Sequence, residues 1–385
     1  MRTTRGYGGG PLLGLCWLFS SLTASAGETE QVDHERPLVQ QGVLGTVNVL
    51  RELDVKTWTN RVTVTSNAGG RDSKPEDTVD GSGKIFRPNV DPSKPFVLTY
   101  TLPGLRTVSS LVIAYEYAPN DAPAAVRLEG SSDRGQTWFE VFKSRPRKGE
   151  FLKCFKPAKV NMLRLTQEGD GTDKCCRRTK EVFAYADPDA PLPLFGSKDS
   201  GAFSFLRGLW YADKIKLSPN PSSGTWAGHA GGIPHVPFMS NMVGYHAAMC
   251  FGEGQEGGGS RLYVRLDLDR AYPMNYGLIS NNGDSILLAK ECRAELYTAN
   301  GNLDPSRLQG NSIRDLTGQG WILQKAWDKD PSICKSFFLE RPGTYNQILL
   351  VWDFLKGNGH NRWSHLEMFG VGRPDAIGAP NDTQK

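Results

Sequence analysis

The chain has 385 residues, of which 38% are hydrophobic and 22% are charged, and its formal net charge is +4. A chain of this length predicts two compact domains, each able to bury a core. The small net charge gives no sign of a nucleic-acid partner, and we expect none.

The N-terminus carries the pattern of a secretory signal peptide. Arg2 and Arg5 precede an apolar run at Leu12–Phe19, which is followed by the small residues Ala24-Ser25-Ala26. This order predicts a signal peptide over residues 1–26 with cleavage after Ala26, and therefore a protein of the secretory pathway, secreted or extracellular. The apolar run is shorter than the ~20 residues that a membrane span needs. No comparable run follows, so we expect no transmembrane segment and no lipid anchor.

Alternation of apolar and polar residues dominates the rest of the chain. In Arg261–Asp269, the residues Leu262, Val264, Leu266 and Leu268 alternate with polar neighbours, as expected of a strand with one buried face. Runs of this kind recur between Gly, Pro and Asn turns, and amphipathic helices are scarce. The sequence therefore predicts an all-β fold of the sandwich or barrel type.

A similar order of strand-like segments occurs twice, which indicates an internal repeat. The first set is Phe96–Leu102, Ser110–Tyr117, Ala125–Gly130, Thr137–Phe142, Val160–Thr166 and Glu181–Ala186. The second set is Arg261–Asp269, Tyr276–Ser280, Arg293–Thr298, Trp321–Trp327, Tyr345–Phe354 and His365–Val371. We predict two tandem antiparallel β-sandwich domains over residues 40–187 and 200–373, joined by a proline-rich linker over 188–199. Residues 27–39 would then be an N-terminal extension and residues 374–385 a flexible tail.

Several short motifs resemble those of a known family. They are the Asp-Gly turn Val79-Asp80-Gly81, the hairpin Ser131–Trp138, the closing strand Glu181–Tyr185 and the similar closing strand His365–Gly372. On these motifs the chain resembles the discoidin, or coagulation-factor C-type, module, a galactose-binding-like jelly-roll β-sandwich. The resemblance implies a binding module that holds sugars, anionic lipids or proteins in loops at one end of the sandwich. The edge disulfides of the family are missing, and Gly83–Phe86 stands where the family often has a tryptophan.

The resemblance also implies a structural calcium ion near the Asp-Gly turn, as in many members of the family. Asp77 and Asp80 lie near that position and are the candidate ligands. The alternative is that both are ordinary turn-forming aspartates. No cofactor is required by any other pattern in the sequence.

The cysteines predict disulfide bonds, because an oxidising compartment favours them over free thiols. Six cysteines follow the signal peptide: Cys154, Cys175, Cys176, Cys250, Cys292 and Cys334. Vicinal cysteines rarely bridge each other without strain. We predict Cys292 with Cys334, one vicinal cysteine with Cys154 and the other with Cys250. Asn381, in Asn381-Asp382-Thr383, is a candidate glycosylation site.

The segment Lys143–Lys180 is strongly basic, with twelve basic and four acidic residues and so a net charge of about +8. It predicts a contact surface for a sulfated glycan, an acidic lipid or an acidic protein. The residues proposed to form it are Arg145, Arg147, Lys148, Arg177 and Arg178. The alternative is that these charges are dispersed around the sandwich and only keep it soluble.

Loops rich in aromatic, amide and histidine side chains suggest a ligand site in the second half. The candidate residues are Trp226, His229, His235, Trp327, Asn361, Arg362 and Trp363. Rings stack on the C–H faces of sugars, and amides and guanidinium groups donate paired hydrogen bonds, so these residues suit a glycan. They also suit an interface with a secreted or cell-surface protein. A buried core position is the alternative for each tryptophan.

Signatures of enzymes are missing from the sequence, which contains no G-x-S-x-G, H-E-x-x-H, P-loop or dinucleotide motif. Asp267 and Asp269 share one side of a strand, as a glycosidase pair would. Outward charges on an alternating strand have the same spacing, and we favour that interpretation. We predict a secreted, non-enzymatic binding or adhesion protein for a glycan or protein partner. A structural subunit of a secreted complex and a divergent secreted glycoside hydrolase are the alternatives.

Overall fold

The computed structural model describes residues 45–82, 84–115, 123–146, 150–169, 177–186, 201–218, 249–251, 261–280, 292–303, 316–328, 334–354, 361–363 and 365–370. Its strands pair antiparallel at every named pairing, from β1 with β7 in the first half to β11 with β14 in the second half. The prediction of an all-β antiparallel fold is confirmed.

The first half of the molecule, residues 45–186, contains seven of the described strands and one short 3-10 helix at Pro75–Val79. The strands are β1 (Val47–Leu53), β2 (Thr63–Ser66), β3 (Phe96–Tyr115), β4 (Ala125–Ser131), β5 (Phe139–Ser144), β6 (Glu150–Glu168) and β7 (Thr179–Ala186).

The second half, residues 201–370, contains nine described strands, one α-helix and a 3-10 turn at Thr317–Gln319. The elements are β8 (Ala202–Ser204), α1 (Leu206–Tyr211), β9 (Ile215–Ser218), β10 (Met249–Phe251), β11 (Arg261–Ser280), β12 (Cys292–Ala299), β13 (Ile322–Asp328), β14 (Cys334–Phe354), β15 (Asn361–Trp363) and β16 (His365–Gly370).

The two halves have the same strand order. The first half reads β5-β4-β6-β3-β7-β1, and the second half reads β13-β12-β14-β11-β16-β8. The extra strand β2 pairs with β3, and β9 pairs with the corresponding strand β11. The repeat that the sequence indicates is therefore present as a repeated topology.

Each half is a sandwich because one long antiparallel strand pair contributes to both of its layers. The pairing of β3 with β6 breaks between Thr101 and Arg106, so the residues before and after this corner belong to different layers. Leu98 and Leu165 from one layer share a buried core with Leu111 and Val182 from the other. The pairing of β11 with β14 breaks in the same way after Asp267.

The two halves join through one continuous sheet, because β8 pairs with β1 on one side and with β16 on the other. They also share a core. Phe183 and Tyr185 lie on the face of β7 that points away from the first core, and they belong to one buried cluster with Leu206 and Tyr211 of α1. A second contact between the halves is formed by Trp58 of the first half, which stacks on Tyr276 of the second with 4.7 Å between the ring centroids.

This shared core is a feature that the sequence prediction of two sandwiches and a linker did not include. The described residues of both halves belong to one compact unit. The predicted signal peptide, the linker over 188–199 and the C-terminal tail lie outside the described residues. Within the described part of the chain, no helix has the length and apolar character of a membrane span.

Candidate functional site

A polar cleft of about 400 Å³ lies on the second half. Its walls are the turn that leads from α1 into β9, the middle of β11, the start of the long β14 segment that pairs with β12, and the turn after β12. Leu266 is fully buried and Leu268 nearly so, on the inner face of β11, so Asp267 and Asp269 project from the outer face. The cleft is therefore built on the outside of the sheet, over the sandwich core.

Strand register sets the floor of the cleft. Asp267 on β11 lies opposite Lys216 on β9 and opposite Gln347 on β14. Side chains directly opposite each other on neighbouring strands are in contact range. One row across three strands thus carries an ammonium group, a carboxylate and an amide, all on the same face.

Internal hydrogen bonds fix the central part of this row. Both oxygens of Asp267 are engaged: Arg265 donates to Oδ2 at 2.9 Å from Nε and 2.8 Å from Nη2, and Gln347 donates to Oδ1 at 2.7 Å. The side-chain oxygen of Gln347 accepts from the backbone N–H of Leu303 at 2.9 Å. The floor is therefore held in place before any ligand arrives.

The turn after β12 forms one wall, and Asn346 holds it. The N–H of Gly301 donates to Asn346 Oδ1 at 3.0 Å, and Asn346 Nδ2 donates to the carbonyl of Gly301 at 2.9 Å. Gly301 has φ +129°, a conformation that favours glycine. The next residue, Asn302, is exposed and lines the cleft.

The opposite wall is tied to β11 by backbone and side-chain contacts. The N–H of Asp269 donates to the carbonyl of Lys214 at 2.9 Å. Tyr272 donates its hydroxyl to Asp269 Oδ1 at 2.9 Å. Burial raises the pKa of Tyr272, so the hydroxyl remains a donor at neutral pH. Asp269 is exposed and lines the cleft.

The same positions in the first half carry different chemistry. By strand register, Thr63, Thr101, Met162 and Pro103 correspond to Lys216, Asp267, Gln347 and Asp269. Arg134 reaches over this region and donates to the carbonyls of Leu102 at 3.3 Å and Pro103 at 3.4 Å. The polar set is thus a property of the second half alone.

The hydrogen bonds of the Asp-Gly turn agree with the alternative that Asp77 and Asp80 are turn-forming aspartates, and the calcium site stays a prediction. Asp77 accepts from the N–H of Lys74 at 2.8 Å, and Asp80 accepts from the N–H of Ser82 at 2.8 Å. The carbonyl of Val79 receives the guanidinium of Arg51 at 2.9 Å. No group of three His, Cys, Asp or Glu side chains in the described ranges is arranged to hold a metal.

Arg51 supplies the positive charge at this buried site, between two acidic residues from the closing strands. Its Nε lies 3.3 Å from Glu367 Oε2, and Gly81, at φ +69°, would place a Cβ only 2.9 Å from Arg51 Nη2. Glu181 accepts from the N–H of Gly81 at 3.0 Å. Burial raises the pKa of Asp80, and burial together with the charge of Asp80 raises the pKa of Glu181 well above 4.5.

We expect calcium to leave the stability of the protein unchanged, because a guanidinium group occupies the acidic site. The measurement is the Tm of the full chain with added calcium and with excess EDTA. A Tm that rises with calcium and falls back with EDTA would show that a calcium site exists, since binding to the native state alone raises its stability.

The predicted aromatic site is only partly described. Trp327 is half-buried and packs edge-on against Phe337 at 5.1 Å, beside the shared core. This packing agrees with the alternative of a core position, but Trp327 is partly exposed, and its role in stacking on a ligand stays a prediction. Asn361, Arg362 and Trp363 form β15, which pairs with β10, and their side chains lie outside the described residues. So do Trp226, His229 and His235.

The predicted basic surface needs one clear correction. Arg177 is 1% exposed, and its guanidinium donates to the backbone carbonyls of Lys94 and, at 3.0 Å, of Asp91. Arg177 therefore fixes the turn at Asp91–Lys94, and its buried guanidinium is not part of a surface that could contact an anionic ligand. Arg178 is half-buried and Arg145 is exposed. Arg147 and Lys148 lie outside the described residues.

Lysines on β6 have a structural explanation that the sequence could not show. Lys153, Lys156 and Lys159 lie on the part of β6 that pairs with β3 alone among the described strands. Charged residues on such an edge oppose pairing with another chain. Some of the basic segment is therefore accounted for by protection of a sheet edge.

The cysteine and glycosylation predictions stay open. Cys154 lies half-buried in β6, and Cys250, Cys292 and Cys334 lie in strands whose side chains at those positions are not described. Cys175, Cys176 and Asn381 lie outside the described residues. The proposed disulfides and the glycosylation site remain predictions.

Sequence reasoning missed most of the cleft. It noted that Asp267 and Asp269 face one side, but not that Lys214 and Lys216 show the same spacing on β9. The Asn-Gly pair at Asn300, a typical turn sequence, forms one wall of the cleft. The alternation of polar and apolar residues in β9 and β11 was visible in the sequence. Only the register between the two strands shows that their polar side chains lie together.

Comparison with known proteins gives similar structures but no family model and no curated relative that matches the sequence. A tandem of CBM32-1 and CBM32-2 domains from Clostridium perfringens ZmpB is 10% identical, covers 89% of this chain and 98% of its own, and has a TM-score of 0.31. CpGH89CBM32-5 from the same organism, in complex with GalNAc-β-1,3-galactose, is 18% identical over 32% of this chain and 95% of its own (TM-score 0.29). A family 32 module from C. perfringens NanJ, in complex with galactose, is 16% identical over 32% and 93% (TM-score 0.28). These structures are carbohydrate-binding β-sandwich modules.

Proposed function

We propose that this chain is a secreted, non-enzymatic glycan-binding protein and that the cleft of the second half holds the sugar. The predicted signal peptide supports secretion. The observation that carries the binding proposal is the divergence of the repeat. At four matching register positions the second half has Lys216, Asp267, Gln347 and Asp269 around an open cleft, whereas the first half has threonines, a methionine and a proline.

The chemistry of the cleft suits a sugar. Each hydroxyl of a sugar both donates and accepts, so it pairs best with carboxylates, amides and ammonium groups held at fixed positions. The exposed groups of Asp269 and Asn302 line the cleft, above a floor already locked by Arg265 and Gln347. A volume of about 400 Å³ lies in the range of small-ligand sites.

Binding is favoured over hydrolysis by the state of the carboxylates. A glycosidase needs one carboxyl group to give a proton to the leaving group and another to act on the sugar or on water. Both oxygens of Asp267 already accept hydrogen bonds from Arg265 and Gln347. Asp267 therefore serves as a fixed part of the floor and is not free to act with Asp269 as a catalytic carboxylate pair.

Removal of the exposed cleft groups is expected to weaken sugar binding. Asp269→Ala and Asn302→Ala should each lower affinity about tenfold, since a hydrogen bond to a charged or well-placed group contributes about 1.5 kcal/mol. A glycan array on the full secreted chain identifies the ligand, and calorimetry measures the affinity of each variant.

The matched control for these variants is Thr63→Ala, an exposed position of the first half that corresponds to Lys216 by register. We expect its affinity to equal that of the unmodified protein. Unchanged affinity in both cleft variants, with unchanged Tm, would exclude the cleft as the sugar site. Cleavage of the bound oligosaccharide would contradict the non-enzymatic part of the proposal.

A further inference from the structure

Two lysines on one wall of the cleft are available to a ligand. Lys214 and Lys216 are two residues apart at the start of β9, so their side chains leave the same face of an extended segment. Within the described part of the chain, neither ammonium group takes part in an ion pair or a hydrogen bond. Lys214 is partly exposed and Lys216 is exposed.

Two acidic residues of β11 near these lysines have other partners. Asp267 lies directly opposite Lys216, yet its oxygens are engaged by Arg265 and Gln347. Asp269, two residues further along β11, accepts the hydroxyl of Tyr272. Asp213 also lines the cleft, but within the described residues no ion pair joins it to Lys214 or Lys216, so both ammonium groups remain available to a ligand.

We propose that the cleft selects an anionic sugar, whose carboxylate or sulfate group lies between the ammonium groups of Lys214 and Lys216. This inference rests on the proposed glycan-binding function and names its ligand class. Ammonium groups bind such oxygens as point charges with freely turning donors.

The rest of the cleft orients that ligand. The carboxylates of Asp213 and Asp269 repel a second anionic group and accept from hydroxyls, and Asn302 offers an amide. The anionic group is thus confined to the β9 wall, and the neutral part of the sugar ring faces β11 and the turn after β12.

The test compares three matched probes on the full secreted chain: a galacturonic acid oligomer, a sulfated galactose oligomer and a neutral galactose oligomer of the same length. We expect an anionic probe to bind at least about tenfold more tightly than the neutral one, with a preference that weakens at high ionic strength. Whether the carboxylated or the sulfated probe binds more tightly identifies the anionic group.

The decisive variant is Lys214→Gln/Lys216→Gln, which keeps side-chain length and removes both charges. We expect it to lose the preference for the anionic probe while binding of the neutral probe stays the same. The matched control is Lys153→Gln/Lys159→Gln, with the same charge change on β6 of the first half, which should keep the preference.

The outcomes separate the two proposals. Equal affinity for neutral and anionic probes in the unmodified protein overturns the selection of an anion and leaves glycan binding standing. An anionic preference that survives in Lys214→Gln/Lys216→Gln also overturns it. Absence of binding to all three probes and to the glycan array removes the proposed function as well.

Discussion

Replacement of Arg51 by methionine is expected to lower the free energy of unfolding by about 3–5 kcal/mol, because breaking a buried ion pair leaves an uncompensated charge. Arg51 is 4% exposed and Glu367 is 2% exposed. The guanidinium also donates to the carbonyl of Val79 at 2.9 Å and lies 5.5 Å from the ring centre of Phe369. Chemical denaturation of both proteins gives the difference.

This loss should depend on pH in a definite direction. The native state keeps the proton of Glu181 that the unfolded chain releases above about pH 4.5, so the contribution of Glu181 to stability falls as the pH rises above that value. Arg51 lowers the pKa of Glu181, and its removal raises that pKa further. The loss in the variant should therefore be largest at neutral and alkaline pH and shrink below pH 4.5.

Arg61→Met is the matched control for this prediction. The side chain of Arg61 is 29% exposed, and its partner Glu52 also pairs with Arg106 at 2.8 Å. We expect a loss of at most about 1 kcal/mol, as for a partly exposed ion pair. An equal loss in both variants, or a loss in Arg51→Met that does not change with pH, would contradict the assignment of the buried acidic site.

Truncation of Phe183 to alanine is expected to cost about 3–5 kcal/mol and to destabilise both halves together. Phe183 is 1% exposed, stacks on Tyr185 at 6.0 Å and lies under the guanidinium of Arg207 at 4.5 Å. Since Arg207 belongs to α1 of the second half, the lost contacts are contacts between halves.

Hydrogen exchange measures this coupling. Amides of β4 in the first half and of β12 in the second should lose protection by the same amount in Phe183→Ala, because one cooperative unit unfolds. Phe139→Ala, at a side chain that is 42% exposed, should change neither. Loss of protection in β4 alone would show that the halves unfold independently.

Local pattern was enough to predict much of the fold. The alternation at Arg261–Asp269 predicted part of β11, and the similar order of segments predicted the repeated topology. The pattern did not predict α1, because a helix of six residues shows less than two turns of periodicity. Its role in covering β7 depends on contacts with the first half.

The joining of the halves could not be read from the sequence for a related reason. The closing strands were recognised from Glu181 and Glu367 separately, but the arginine that contacts Glu367 lies 316 residues away on β1. Local patterns of charge and of turn residues do not predict a contact between residues so far apart in the chain. The cleft is similar, since Lys216, Asp267 and Gln347 meet only through the register of three strands.

The most direct test of the account is a crystal structure of the full secreted chain with the oligosaccharide that binds most tightly on the array. We predict sugar density in the cleft, with hydroxyls bonded to Asp269 and Asn302 and the ring beside Lys216. Sugar density elsewhere, such as beside β15 or on the first half, with the cleft filled only by water, would contradict the central claim.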